Sequence, residues 1–92
     1  MNLTVKWTNS FKKDYKKAIK RHLKIEKLDE VISILSKGLR LDEKYRDHAL
    51  AGVFDGLREC HIEPNWLLIY SIQNDTLILT LTRTGTHSDL FN

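Results

Sequence analysis

Ninety-two residues, 41% of them apolar and 9% aromatic, with one proline and four glycines, point to one small globular domain spanning 1–92 and exclude a disordered chain or a second core. No apolar run approaches the ~20 residues of a membrane span and the opening MNLTVKW has no signal core, so a soluble, cytoplasmic chain without membrane contact is expected. The lone Cys60 agrees with a reducing compartment.

Charge is unevenly spread. Residues 1–46 carry ten lysines and three arginines against six acids, a net of +7, whereas residues 47–92 carry Arg58 and Arg83 against six acids, a net of −4. Such asymmetry points to a polyanionic partner met by the first half, or to an ordinary solvated lysine face.

LTVKWT at 3–8 alternates weakly and predicts a short strand. Phe11, Tyr15, Ala18, Ile19 and His22 follow at helical spacing, with Asn9 or Ser10 as the cap and lysines on the other face. A second helix is predicted from about residue 24, its stripe formed by Ile25, Leu28, Val31, Ile32 and Leu35 and its stop by Gly38. The short turn between them predicts an antiparallel hairpin. Residues 39–55 show no sustained period and read as a loop-rich connector.

Strand signals then occupy roughly 57–63, 66–72 and 76–83, separated by Pro64-Asn65 and Asn74-Asp75. They predict an antiparallel meander, with Leu77, Leu79 and Leu81 on its buried face. The tail GTHSDLFN starts at a glycine turn and ends near a phenylalanine. The fold class expected is α+β, two N-terminal helices packed on a twisted antiparallel sheet.

Four histidines occur. His22 closes the first helix, where the helix dipole suffices to explain it. His48, His61 and His87 fall in the connector, the first meander strand and the tail, which a small sheet can bring to one edge together with Arg58 and Arg83. A zinc site is disfavoured: Cys60 and His61 are strand neighbours facing opposite ways, and no C-x-x-C, H-x-x-x-H or H-E-x-x-H spacing occurs. Cys60 reads as a buried, inert thiol, and there is neither a G-x-S-x-G elbow nor a glycine-rich phosphate loop. General acid/base chemistry remains, because histidine titrates near neutral pH and arginine can stabilise a phosphate in the transition state. That equipment suits RNA cleavage without a metal or cofactor, since the substrate supplies its own 2′-hydroxyl nucleophile.

YRDHALAG, GLRECHIEPNWLLIY and RTGTHSDLF, in this order, resemble the YafQ branch of the RelE superfamily of bacterial type II toxins, which are ribosome-dependent mRNA endonucleases. The likeness runs through the whole chain and is specific from about Tyr45 to Phe91. It implies a RelE-like fold, access to the ribosomal A site and cleavage of the codon exposed there. The family's histidines fall on His48, His61 and His87, with His61 and His87 the preferred proton-transfer pair, and its aromatic positions fall on Trp66 and Phe91. Arg58, Arg83 and the lysines Lys12, Lys13, Lys16, Lys17 and Lys20, continued by Lys24 and Lys27, are then expected to hold RNA. One position departs from the family's usual E-P-D-W: Asn65 stands where an aspartate contributes to the active site, and an amide there orients a ligand but takes up no proton.

The resemblance further implies a ribbon-helix-helix antitoxin that neutralises the toxin and, in complex with it, binds operator DNA. Two other readings stay open at this level. One is a non-enzymatic toxin like the gyrase-inhibiting ParE group, against which the histidine set counts. The other is an attenuated RNA-binding or regulatory protein, which Asn65 keeps open.

Overall fold

The computed structural model describes residues 2–91. The first strand, β1 (Thr4–Trp7), leads into helix α1 (Asn9–Lys20). The cap is Thr8 rather than Asn9 or Ser10: its hydroxyl oxygen accepts from the Phe11 N–H at 3.0 Å and donates to the Thr82 carbonyl at 2.7 Å. One side chain thus starts the helix and ties it to a distant strand. Phe11 and Ala18 are buried on the inner face, whereas Ile19 is 51% exposed, so the apolar stripe is narrower than its spacing suggests. Helix α2 (Ile25–Ser36) buries Leu28, Val31 and Leu35, and Tyr15 links the helices by donating to Asp29 at 2.8 Å.

Both helices end in the same way. Gly38 (φ +72) and His22 (φ +60) take left-handed conformations. The N–H of Gly38 returns to the Leu35 carbonyl and that of Leu39 to Ile34, while His22 returns to Ile19 and Leu23 to Ala18. These are paired C-terminal capping bonds. His22 therefore has a backbone role beyond the dipole argument, and histidine is among the non-glycine residues that tolerate this region.

The predicted connector contains more structure than loop. A 3₁₀ turn at Glu43–Tyr45, a two-residue strand β2 (His48–Ala49) and a second 3₁₀ turn at Gly52–Phe54 precede the meander of β3 (Arg58–Glu63), β4 (Trp66–Gln73) and β5 (Ile78–Gly85). The sheet order is β1-β5-β4-β3-β2. The α+β class holds, but the sheet is mixed: β1 lies parallel to β5, with Val5 opposite Leu79. Leu77 precedes β5 at positive φ and is 36% exposed, outside the expected buried row. The tail forms a short helix, α3 (His87–Phe91). Among the described residues, no helix is long and apolar enough to cross a membrane.

One sheet face carries the core. Cys60, Ile62, Trp66, Leu68, Tyr70, Leu79 and Leu81 join Phe11, Leu28, Val31 and Leu35 from the helices in one cluster. Leu67 and Ile69, next in alternation, are buried outside it. A bulge sets what shares their face. Ile69 pairs with Arg83 but Tyr70 pairs with Leu81, so Thr82 is an extra residue in β5. Unbroken alternation from Leu79 and Leu81 would send Arg83 into the core. The bulge sends Thr84 there instead and turns Arg83 and Gly85 to the opposite face, the re-aiming that bulges perform beside functional sites.

Candidate functional site

Pairing across the sheet builds the site on the face away from the helices. His48 lies opposite Glu59, Glu59 opposite Ile69 and Ile69 opposite Arg83. One step along, His61 lies opposite Leu67, and Leu67 opposite Gly85. Directly opposed residues point to the same face. His48, Glu59 and His61 therefore share a surface whose pairing reaches the backbone of Arg83 and Gly85 on β5, two residues before His87. With strands spaced ~4.8 Å apart, Gly85 lies ~10 Å from His61, two strands across.

Glu59 is 7% exposed, and its two oxygens divide between two histidines: Oε2 lies 3.8 Å from His48 Nε2, and Oε1 lies 3.8 Å from His61 Nε2. The other ring nitrogens meet backbone carbonyls, His48 Nδ1 that of Arg46 at 2.8 Å and His61 Nδ1 that of Pro64 at 3.4 Å. A carbonyl only accepts, so Nδ1 is the donor in each of these bonds and Nε2 is the ring nitrogen that faces the carboxylate. Residue spacing does not single out Glu59, although it sits two residues before His61 in ECHIEP.

The same signal marks the other two histidines, each of which has an acid within two residues. Asp47, next to His48, takes hydrogen bonds from Arg58 at 2.9 Å and, very closely, from the Tyr70 hydroxyl. Burial, and then that bond to Asp47, push the Tyr70 hydroxyl well above its usual range. Arg58 lies opposite Tyr70 and so belongs to the other face. The expectation that it joins the histidines fails; it anchors the segment that carries His48.

Asp89, two residues after His87, completes a capping box. Its Oδ2 accepts from the Thr86 N–H at 2.9 Å, and the Thr86 hydroxyl accepts from the Asp89 N–H at 3.1 Å. Arg21 donates to the same carboxylate at 2.7 Å and Lys17 lies 3.9 Å from it, which fixes α3 against α1. The close approach requires Gly85, where a Cβ would lie 3.0 Å from Asp89 Oδ2. The Arg21 bond, followed by the Thr86 N–H, holds the Asp89 carboxyl well below the usual carboxylate range. A depressed folded pKa gives docking its full stabilisation above the ordinary value of ~3.9 and loses it progressively as pH falls from there through the lower folded value. The Phe91 ring resonances should therefore keep their docked shifts at pH ~4 and lose them only in stronger acid, and Asp89→Asn should produce that loosening at neutral pH. Docked shifts persisting in Asp89→Asn would show that the ring stack alone holds the tail.

That stack is His87 on Phe91, with ring centroids 4.8 Å apart, and Phe91 edge-on to Phe54 at 5.2 Å. Phe91 docks beside His87. The Arg83 backbone lies opposite Ile69, but its guanidinium turns to helix α1, donating from Nε to Asp14 Oδ2 at 2.6 Å, and the Asp14 bond raises its pKa.

Trp66 departs from expectation. It is 2% exposed, lies in the core, and donates from Nε1 to Thr84 Oγ1 at 3.0 Å. Its indole is turned into the core rather than out to solvent. Asn65 is exposed in the turn between β3 and β4, and its side chain forms no hydrogen bond among the described residues. Burial pushes the Cys60 thiol up to about 12, as expected of an inert cysteine. Lys12, Lys13, Lys16, Lys17 and Lys20 are all exposed along α1, and the Lys17 and Arg21 contacts with Asp89 place their end beside α3. Among the described residues, no three His, Cys, Asp or Glu side chains gather to hold a metal ion.

Comparison with known proteins gives consistent matches. Residues 3–92 match the family described as the bacterial toxin of type II toxin-antitoxin system, YafQ. The mRNA interferase toxin YafQ of Escherichia coli strain K12 is 39% identical over 88 residues, covering 95% of this chain and 94% of that protein. The crystal structure of YafQ from E. coli strain BL21(DE3) superposes with a TM-score of 0.92 at 36% identity, covering 98% of this chain and 99% of the other. The toxin in the E. coli DinJ-YafQ toxin-antitoxin complex gives 0.91 at 36% identity over the whole of both chains.

Proposed function

Because the chain belongs to the YafQ family of type II toxins, we propose that it is an mRNA interferase, cleaving mRNA in the ribosomal A site by general acid/base catalysis without a metal. The observation that carries this reading is the buried Glu59 carboxylate set between the Nε2 atoms of His48 and His61. In the proposed reaction the RNA 2′-hydroxyl attacks the adjacent phosphorus as one histidine removes its proton. The bond to the 5′-oxygen breaks as a second histidine protonates that oxygen. The products are a 2′,3′-cyclic phosphate and a 5′-hydroxyl. In this reading His61 and His87 are the proton-transfer pair, His48 assists, and Arg83, held by Asp14, stabilises the extra negative charge.

The test is cleavage of mRNA in programmed ribosomes with the ends identified chemically. Cyclic-phosphate and 5′-hydroxyl ends support the reading. A 5′-phosphate, or activity lost to a chelator and restored by zinc with ribosomes intact, overturns it.

The partners proposed are the ribosome, mRNA and a cognate ribbon-helix-helix antitoxin, the last supported by the DinJ complex of the E. coli relative. Operator DNA would be met only through that antitoxin. The α1 lysines are proposed to dock on ribosomal RNA. Glutamine at Lys12, Lys13, Lys16 and Lys20, sparing Lys17 because it braces Asp89, should weaken ribosome binding. It should also flatten the salt dependence by roughly 0.7–0.9 in log–log slope for each phosphate left without its lysine, with cleavage at saturation unchanged. An unaltered slope would make these lysines a solvated face. Asn65 lies in the turn whose Pro64 carbonyl holds His61. Asn65→Asp, which restores the family's carboxylate, should raise single-turnover cleavage. An unchanged rate would remove this position from the chemistry.

A further inference from the structure

A cleft of about 410 Å³ opens on the other side of His61, beyond the Glu59 arrangement. Its walls come from Lys27 and Glu30 on α2, from Lys44, Tyr45 and Arg46 at the first 3₁₀ turn, and from His61 itself. The cations there are not equivalent. Lys27 is neutralised by Glu63 at 2.8 Å. Arg46 has no ion-pair partner among the described residues, and the Lys44 ammonium sits 5.1 Å from the centre of the Tyr45 ring. The left-handed conformation of Arg46 (φ +50) directs its carbonyl to His48 Nδ1. The residue that leaves a cation at the cleft therefore also orients a histidine of the site.

We propose that this cleft is a nucleotide subsite, holding the nucleoside next to the scissile phosphate of an RNA strand. The inference rests on the nuclease reading and extends it to how the substrate is held. The base stacks on Tyr45, displacing the Lys44 ammonium toward the phosphate, where Arg46 joins it. Glu30 and the Lys27–Glu63 pair supply an acceptor and a donor for the edge of the base. An aromatic face beside two uncompensated cations is the combination that binds single-stranded nucleic acid, and the volume lies within the usual range for small-molecule sites. Continuity with His61 favours RNA over an unrelated ligand, because a nucleotide seated here leaves its phosphate next to the proposed proton-transfer group.

The test titrates the isotope-labelled full-length chain with a 2′-O-methylated trinucleotide, which lacks the nucleophile and cannot be cleaved, and measures ribosome-dependent cleavage in parallel. Saturable shifts at Tyr45, Arg46 and His61 are expected. Arg46→Gln should weaken binding roughly tenfold, in keeping with removal of one charge-assisted hydrogen bond. Tyr45→Leu keeps apolar bulk but removes the stacking face. It should raise KM for programmed ribosomes about tenfold or more with kcat little changed, while Tyr45→Phe behaves as wild type. Shifts confined to the α1 lysines, no saturable shift at all, or a wild-type KM in Tyr45→Leu would overturn the subsite. A chain that binds the trinucleotide at Tyr45 and Arg46 yet cleaves no mRNA would overturn the nuclease reading and leave the subsite standing.

Discussion

Replacing His61 or His87 by alanine should slow single-turnover cleavage by roughly 10²-fold or more, the usual size of a missing general acid or base, and leave cooperative unfolding intact. His87 is exposed at the start of α3 and His61 is half-buried, so neither truncation opens a core cavity. Glu59→Gln is the companion measurement. It preserves volume at a site only 7% exposed but removes the charge that both His48 and His61 face. In the proposed reaction Glu59 acts through the histidines, so its replacement should lower kcat and change the shape of the pH–rate profile, with ribosome affinity unaltered. A role limited to packing would leave that profile unmoved. Wild-type rates in both histidine variants would remove these residues from the reaction.

Glu59 is hard to find in the sequence for a physical reason. Apolar periodicity marks faces, and it places both helices and the three meander strands within a few residues of their positions. It reports nothing about which polar side chains meet across strands. Asp14, Asp47, Glu59 and Asp89 acquire their roles only once pairing sets Glu59 opposite His48 and α3 folds back on α1. The acids beside each histidine in RDHAL, ECHIEP and HSDLF are nevertheless visible, and asking what each neighbouring carboxylate holds finds three of the four.

Arg58 and Arg83 fail to behave as a pair for a related reason. Both are arginines on strands. The Thr82 bulge takes Arg83 out of the core row and lets it pair with Asp14, while Arg58, opposite Tyr70, stays on the core face with Asp47. A bulge leaves little trace in the alternation of TLILTLTRTG. The parallel pairing of β1 with β5 is likewise invisible locally, since it joins residues more than seventy positions apart.

Trp66 gives the second large effect, on stability. At 2% exposure in the core, Trp66→Ala should cost about 3–5 kcal/mol, a large share of the ~5–15 kcal/mol that holds a domain together. Trp66→Phe should cost less. It keeps most of the buried ring, and the Thr84 hydroxyl that loses the indole donor still donates to the Leu67 carbonyl at 2.7 Å. Fluorescence separates this structural role from contact with RNA. The chain has two tryptophans, and Trp7→Phe removes the one that is 38% exposed. The remaining emission should be shielded from acrylamide and unchanged when the trinucleotide binds. If RNA quenches Trp66 in the folded protein, the indole reaches the substrate after all, and its burial between α1 and the sheet is only one of two arrangements the turn at Pro64-Asn65 can adopt.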